Sequence, residues 1–177
     1  MKAGILTFHD ADNYGAVLQA YALTQWLKQN NVDAEIVNYQ SKIYRKYKTF
    51  RKHLYKKAPY ILGVDIIKYR NKNRRNKNFA SFRKSYLPTS KDMYCKKEDF
   101  NGITDKYDYF ICGSDQIWNP EITKGLDPVY FLDFVKSPEK KIAYAPSVAL
   151  KKLTEFQIAD ISDYTSSFAS LAIREQE

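Results

Sequence analysis

The fold is decided by the stretch KAGILTFHDADNYGAVLQAYALTQWLKQNNVDAEIVNY, residues 2–39. It begins with a short apolar run at residues 2–8, which predicts a buried strand. Apolar residues then recur at the three- and four-residue steps of a helix, at Ala16, Ala20, Leu23 and Leu27. Residues 34–39 alternate as a second strand. A strand, a helix and a strand in this order form a βαβ unit, which predicts a parallel sheet.

Three further strands are expected after residue 100. Residues 107–112 form an apolar run that ends at a glycine, and residues 141–147 and 171–174 give the fourth and fifth strands. Thr154 can cap a helix that runs to about Phe168, and a short extended piece is expected at residues 130–134. We therefore predict an α/β, Rossmann-like parallel sheet of about five strands flanked by helices, in a single domain over residues 1–177.

Charge is distributed unevenly along the chain. The 177 residues contain 29 Lys and Arg against 20 Asp and Glu, for a net charge of +9. Residues 40–97 hold 19 of the basic residues and two of the acidic ones, a local charge of +17. The other 119 residues hold 10 basic and 18 acidic residues, a charge of −8. A mildly acidic body thus carries one strongly basic segment.

The basic segment repeats Tyr and Phe at helical spacing. We predict basic amphipathic helices inserted between the second and third strands, outside the sheet, over about residues 42–90. Such helices can form a solvated face, bind a membrane surface or bind nucleic acid. No nucleic-acid motif accompanies the charge, so nucleic acid is the least favoured partner. A solvated face is the first interpretation, and the partner considered next is an anionic membrane leaflet, contacted peripherally through residues 42–86.

Several classes of protein are disfavoured by composition. No apolar run approaches the ~20 residues that span a bilayer, and the first residues lack a signal-peptide pattern. We therefore expect a cytoplasmic protein, which can sit peripherally at the inner membrane face. Cys95 and Cys112 give neither a disulfide framework nor a metal-ligand spacing. The chain has only two His residues, so we assign no metal site.

Three segments carry groups suited to ligand chemistry, and each follows a predicted strand, where open α/β sheets bind ligands. In HDADNYGAVLQAYAL, residues 9–23, Asn13 can cap the helix and Gly15 leaves N–H groups for an anion or a sugar hydroxyl. His9 is either a hydrogen-bonding loop residue or a catalyst. These residues alone are a weak signal, because an Asn before a helix is usually only a cap.

The second segment is DYFICGSDQIWNP, residues 108–120. Ser114, Asp115 and Gln116 offer the hydroxyl, carboxylate and amide groups that bind carbohydrate hydroxyls. Trp118 can stack on a sugar or simply lock the loop. The third segment is KIAYAPSVA, residues 141–149, and AIREQE follows at residues 172–177. It places Ser147 and Arg174 at two strand ends.

Together these segments resemble the polysaccharide pyruvyl transferase family, over nearly the whole chain. The resemblance rests on NYGAVLQAYAL (13–23), GSDQIWNP (113–120), AYAPSVA (143–149) and IRE (173–175). Pro146 and Ala149 depart from the family pattern, which usually has glycine in place of Ala149. Alanine in place of glycine at position 149 disfavours a close backbone approach there.

The resemblance implies a two-domain fold like that of B-type glycosyltransferases, of which this chain is the N-terminal half and from which the C-terminal domain is missing. It implies transfer of the enolpyruvyl group of phosphoenolpyruvate, a donor substrate rather than a cofactor, to a sugar, giving a pyruvate ketal in cell-surface polysaccharide. Arg174 is then a donor-binding residue. Asn13, Gly15 and residues 114–116 form the acceptor side. The family's proton donor is assigned to a His of the second domain, so this half carries no catalytic residue and is expected to be inactive alone.

The partners implied are a saccharide acceptor, free or lipid-linked, and a second polypeptide. Apolar residues close to the end of the chain predict a homo-oligomer or a partner chain: Phe156, Ile158, Ile161, Phe168 and Leu171. Two other functions stay open. One is a non-catalytic carbohydrate-binding or interaction module, from a truncated or split gene. The other is half of a glycosyltransferase that uses a nucleotide sugar.

Overall fold

The computed structural model describes residues 1–41 and 64–174. In this part of the chain a six-stranded sheet is flanked by helices. The strands are β1 Lys2–Leu6, β2 Asp33–Tyr39, β3 Thr89–Tyr94, β4 Tyr109–Asp115, β5 Lys141–Pro146 and β6 Ser170–Ala172. The α-helices are α1 Tyr14–Gln29, α2 Val64–Tyr86, α3 Pro120–Thr123 and α4 Glu155–Thr165. Short 3₁₀ turns lie at Lys97–Phe100, Ile103–Asp105, Pro128–Phe131 and Pro138–Lys140.

The strand order is β3-β2-β1-β4-β5-β6, and every neighbouring pair is parallel. This is the order of the Rossmann fold, in which the direction of winding reverses between β1 and β4. Ile5 at the centre of the sheet pairs with Ile36 of β2 on one side and Ile111 of β4 on the other. The prediction of a Rossmann-like α/β fold is confirmed.

Each face of the sheet packs against its own apolar cluster. On one face, α1 contributes Val17 and Leu23, and α2 contributes Phe79. The other face carries a largely aromatic cluster that includes Phe110, Trp118 and Phe131. Burial on both faces explains why the central strands are continuous apolar runs rather than alternating ones.

The sequence prediction of about five strands was wrong by one. β3, with the sequence TSKDMY, pairs with β2 at the edge of the sheet. Only its last residue, Tyr94, is fully buried, so the strand has no apolar pattern to reveal it. The prediction of a short extended piece at residues 130–134 was also wrong. This segment is not extended, because Asp127 accepts a hydrogen bond from the amide of Val129 and begins a 3₁₀ turn there.

The predicted basic insertion is helical where the structure describes it. Helix α2 runs from Val64 to Tyr86 and is followed directly by β3, so the insertion ends before residue 90. Residues 42–63 lie outside the described residues. No helix within the described ranges is long and apolar enough to cross a membrane.

The apolar residues near the end of the chain fall into two groups. Phe156, Ile158 and Leu171 are exposed, Phe156 to 84%. Ile161 and Phe168 instead pack against the aromatic cluster. The oligomer itself stays a prediction.

Candidate functional site

The predicted ligand-binding segments meet at the carboxyl edge of the sheet, where the winding reverses between β1 and β4. Thr7, directly after β1, donates a hydrogen bond from Oγ1 to the carbonyl oxygen of Ser114 at 2.7 Å. Gln19 of α1 donates from Nε2 to Thr7 Oγ1 at 2.8 Å. This relay fixes α1 and the end of β4 relative to each other. Crevices at such a reversal are where doubly wound sheets bind ligands.

Asn13 and Gly15 form the start of α1. The side chain of Asn13 caps the helix by accepting from the amide of Ala16 at 3.3 Å. The first-turn N–H groups have no intrahelical partner and give this end of the helix a partial positive charge. A Cβ on Gly15 would lie 3.2 Å from Asn13 Oδ1, so glycine lets the cap oxygen approach closely. Both residues are exposed, as ligand contacts need to be.

The last residues of β4 have unusual backbone geometry, beginning at Gly113. Its φ is +110°, and a Cβ would lie only 2.1 Å from the carbonyl oxygen of Tyr144 on β5. The Gly113–Ser114 peptide bond is cis. Asp115 adopts φ +100°, a conformation that non-glycine residues rarely hold, and its Oδ1 accepts from the amide of Gln116 at 2.8 Å. Non-glycine residues with a positive φ, as at Asp115, cluster at functional sites.

Trp118 fixes the loop that follows and does not face a ligand. It is 1% exposed, its ring stacks on Phe131 at 4.7 Å, and its Nε1 donates to the carbonyl oxygen of Tyr130 at 3.0 Å. Asn119 donates from Nδ2 to Gln116 Oε1 at 3.3 Å. Of the two readings that the sequence left open for Trp118, the structure supports locking of the loop.

Arg174 is connected to the end of β4 through one intermediate residue, Ser147. Its Nη2 donates to Ser147 Oγ at 2.9 Å, and the amide of Ser147 donates to the carbonyl oxygen of Asp115 at 3.0 Å. Ser147 is fully buried, whereas Arg174 is exposed. The residue predicted for the donor and the polar residues at 114–116 therefore share one edge of the sheet.

Ala149 has φ +52°, in the left-handed region that favours glycine. The family pattern that the sequence resembles has glycine here, and the structure gives the physical reason for that preference. In this chain alanine adopts the same conformation, at a backbone cost of about 1–2 kcal/mol.

His9 is a buried structural residue. Its Nδ1 lies 3.2 Å from the carbonyl oxygen of Thr7 and its Nε2 lies 3.3 Å from Asn38 Oδ1. Burial lowers the pKa of His9 below its ordinary value of 6.5, so the ring is held neutral at physiological pH. The structure favours the hydrogen-bonding reading of His9 over the catalytic one.

A second buried polar pair lies between β2 and the 3₁₀ turn. Tyr39 donates from its hydroxyl to Asp127 Oδ2 at 2.8 Å, and burial raises the pKa of both groups. Burial also raises the pKa of the Cys112 thiol, which is completely enclosed. Across residues 1–41 and 64–174, no group of three His, Cys, Asp or Glu side chains is placed to hold a metal ion.

Sequence reasoning missed the contacts that hold the loop between β1 and α1. Arg83 of α2 pairs with Asp12 at 2.9 Å and with Asp10 at 3.4 Å, and it also donates to the carbonyl oxygen of Ala11 at 3.1 Å. Arg75 donates to the carbonyl oxygen of Asp12 at 2.8 Å. These partners are more than 60 residues apart, and no local pattern marks them. Part of the basic segment therefore supports the candidate site.

Comparison with known proteins agrees with these motifs. No curated protein and no solved structure matched the chain significantly. The sequence model described as polysaccharide pyruvyl transferase matches residues 13–177, which include every motif at the carboxyl edge of the sheet. The chain therefore belongs to the polysaccharide pyruvyl transferase family.

Proposed function

We propose that this protein takes part in the transfer of the enolpyruvyl group of phosphoenolpyruvate to a saccharide. We propose further that its 177 residues form the acceptor side of the enzyme. The observation that carries the proposal is the cluster at residues 114–116, which is joined through Ser147 to the exposed Arg174. Groups whose chemistry suits sugar hydroxyls and an anion thus lie on one edge, at the reversal of the sheet, and this supports the proposal.

The acceptor sugar lies against the turn after β4 in this proposal. Asp115 Oδ1 is used by the amide of Gln116, which leaves Oδ2 to accept a hydrogen bond from a sugar hydroxyl. Ser114 supplies a hydroxyl, and the Nδ2 of Asn119 holds the Gln116 amide in one orientation. The start of α1, with Asn13 and Gly15, contributes N–H donors from the other side of the crevice.

Arg174 is proposed to bind the donor. Its guanidinium is held at one corner by Ser147, and the remaining N–H groups match a carboxylate or phosphate in a bidentate way. In the proposed reaction two sugar hydroxyls form bonds to C2 of phosphoenolpyruvate and the bond from C2 to the phosphate oxygen breaks. Of the two hydroxyl protons, one is balanced by the proton that C3 gains, which turns the methylene into a methyl group. The other is balanced by the proton on the released phosphate.

The protonation of C3 needs an acid near the donor. His9 is neutral, buried and hydrogen-bonded, and Asp127 is enclosed by Tyr39 and the amide of Val129. Both of these groups thus already have hydrogen-bond partners inside the fold. We therefore propose that the 177 residues do not turn over by themselves and that another polypeptide segment supplies the acid.

The proposed setting is the cytoplasmic face of a membrane. A lipid-linked saccharide would bring the acceptor to that surface, and the basic segment at residues 42–86 would bind anionic lipid there. Each Lys or Arg near an anionic leaflet contributes about 1 kcal/mol of attraction. No nucleic-acid partner is proposed.

Saccharide binding can be tested without turnover. Saturation-transfer NMR against a panel of hexoses and their uronic acids should detect weak binding to the wild-type chain. Gln116→Ala should remove the signal, because it deletes an amide next to Asp115. Gln29→Ala is the matched control, since Gln29 is an exposed glutamine at the far end of α1. Equal signals from both variants, or none from the wild type, would contradict an acceptor site here.

Turnover is tested separately by phosphate release. The purified chain with phosphoenolpyruvate and the sugars that bind should release no more phosphate than Arg174→Ala does. Release clearly above that background would show that the chain is self-sufficient and that the proton donor lies within it. Sugar binding without release in any reconstituted mixture would favour the binding-module alternative.

A further inference from the structure

The outward face of α1 exposes large apolar side chains beside neutral glutamines, where a solvent-facing helix face normally carries charges. The 16 residues of α1, YGAVLQAYALTQWLKQ, include a single charged residue, Lys28. The face opposite the sheet exposes Tyr14 to 65%, Leu18 to 52% and Trp26 to 61%. The core side of the helix is filled by other residues of α1, and Tyr14 packs only against the edge of that core.

The outward face of α2 is uniformly basic. Phe79 points into the core, and at 100° per residue four exposed cations fall on the opposite side of the helix: Arg70, Arg74, Lys77 and Lys84. Within the described part of the chain, none of these four forms an ion pair. The inward-facing Arg75 and Arg83 are the ones that hold the loop of the candidate site.

The two helices lie side by side on the same face of the sheet. Tyr14 contacts Phe79 with ring centroids 4.7 Å apart, and Tyr21 contacts Phe82 at 5.6 Å. A cleft of about 290 Å³ lies between them. Both outward faces therefore point away from the sheet together. We call this the apolar–basic surface, formed by Tyr14, Leu18, Trp26, Arg70, Arg74, Lys77 and Lys84.

We infer that the apolar–basic surface docks on an anionic lipid bilayer, with the α1 side chains inserted among the headgroups. Trp and Tyr are the residues that favour the membrane interface, and cations beside them attract anionic lipid. A polyanion such as DNA satisfies the cations but offers no apolar phase for Leu18 and Trp26. The inference builds on the peripheral contact proposed above and adds α1 to it.

Docking by α1 would have a consequence for the acceptor. Tyr14 lies between Asn13 and Gly15, so the helix start proposed to bind the sugar would sit next to the headgroups. An acceptor anchored in the same leaflet would then meet the site without leaving the membrane surface.

Tryptophan fluorescence tests insertion directly, because the chain has two tryptophans in opposite environments. Trp26 is 61% exposed and Trp118 is 1% exposed, so a change on vesicle addition reports Trp26. Vesicles of phosphatidylcholine with phosphatidylglycerol should shift the emission to the blue. Vesicles of phosphatidylcholine alone and duplex DNA should not, and Trp26→Phe should remove the shift.

Vesicle sedimentation separates the apolar from the basic contribution. Leu18→Gln with Trp26→Gln should lower the partition coefficient roughly tenfold or more, since two half-exposed apolar side chains lose their burial. Phe156→Gln is the matched control, because Phe156 is more exposed but lies on α4. Arg74→Gln and Lys77→Gln should each lower partitioning about fivefold. Circular dichroism on each variant checks that the helices persist.

The outcomes distinguish insertion of α1 from the contact made by the basic segment alone. Full anionic-vesicle binding by the Leu18→Gln, Trp26→Gln variant, with no blue shift in the wild type, would overturn the role of α1 and leave the basic contact standing. No vesicle binding by the wild type would overturn both. A dimer in sedimentation velocity that the same double variant dissociates would assign the surface to a second copy and overturn the inference. None of these readouts depends on pyruvyl transfer.

Discussion

Gly113 is predicted to be the least replaceable residue at the candidate site, and Gly113→Ala tests this. A Cβ at this position would lie 2.1 Å from the carbonyl oxygen of Tyr144, whereas real Cβ contacts do not fall below 3.0 Å. The strands β4 and β5 would have to move apart where they pair through Gly113 and Tyr144. The glycine also holds φ +110°, which alanine tolerates poorly.

The magnitude follows from these two terms. An unfavourable φ costs of order 1–3 kcal/mol, and forcing extra volume into a packed site typically adds about 1–3 kcal/mol. We expect Gly113→Ala to lower the free energy of unfolding by the sum of these contributions, about 2–6 kcal/mol, a large part of the roughly 5–15 kcal/mol that stabilises a domain.

Gly125→Ala is the matched control for Gly113→Ala. Gly125 has nearly the same φ, +115°, but a Cβ there would have no neighbour within 4 Å. Gly125→Ala should lower the free energy of unfolding only by the contribution of the unfavourable φ, about 1–3 kcal/mol. Urea unfolding followed by circular dichroism measures both variants. If the two variants lose equal stability, the close approach of β5 to Gly113 does not exist and the geometry described for the end of β4 is wrong.

Three further predictions concern the surroundings of the site. Arg83→Gln should lower the free energy of unfolding by about 1.5–3 kcal/mol, because it removes a charged hydrogen bond to Asp12 and an ion pair with Asp10. The exposed neighbour variant Lys84→Gln should change it by less than about 0.5 kcal/mol. Equal effects in urea unfolding would contradict the role of Arg83 in holding the loop between β1 and α1. Ala149→Gly should raise the unfolding temperature, since it relieves up to about 1–2 kcal/mol of left-handed strain; a lower unfolding temperature would contradict the +52° conformation. Because burial lowers the pKa of His9, the unfolded chain binds more protons as the pH falls below 6.5, and stability should be lost there. His9→Gln should therefore reduce this loss of stability at low pH, as measured by urea titrations of wild type and variant. The raised pKa of Asp127 changes stability in the opposite direction, but it does so equally in both proteins. An unchanged pH profile would show that His9 is not buried.

The central architecture could be predicted because local patterns determine it. The change from an apolar run to helical spacing and back within residues 2–39 defines a βαβ unit, and the order of the other apolar runs completes a parallel sheet. The placement of polar residues at strand ends followed from the same argument. Arg174 and residues 114–116 do lie on one edge of the sheet.

What could not be predicted depends on distant contacts or on edge positions. β3 was missed because an edge strand needs few apolar residues, and TSKDMY buries only Tyr94 fully. The hydrogen bond from Thr7 to Ser114 joins residues 107 positions apart, and the pair of Arg83 with Asp12 spans 71 positions. Whether Trp118 faces a sugar or the core was equally beyond the sequence, because both roles need an aromatic ring after a turn.

The proposed role in pyruvyl transfer requires the carboxyl edge of this sheet to bind the donor. Isothermal titration of the chain with phosphoenolpyruvate should give saturable binding that Arg174→Gln removes. Because a chain of net charge +9 attracts any anion, Arg70→Gln is the control. Arg70 is an exposed arginine on the outer face of α2, away from the site, and its replacement should leave the affinity unchanged. Equal loss in both variants, or no saturable binding by the wild type, would contradict a donor site at Arg174 and with it the proposed role in pyruvyl transfer.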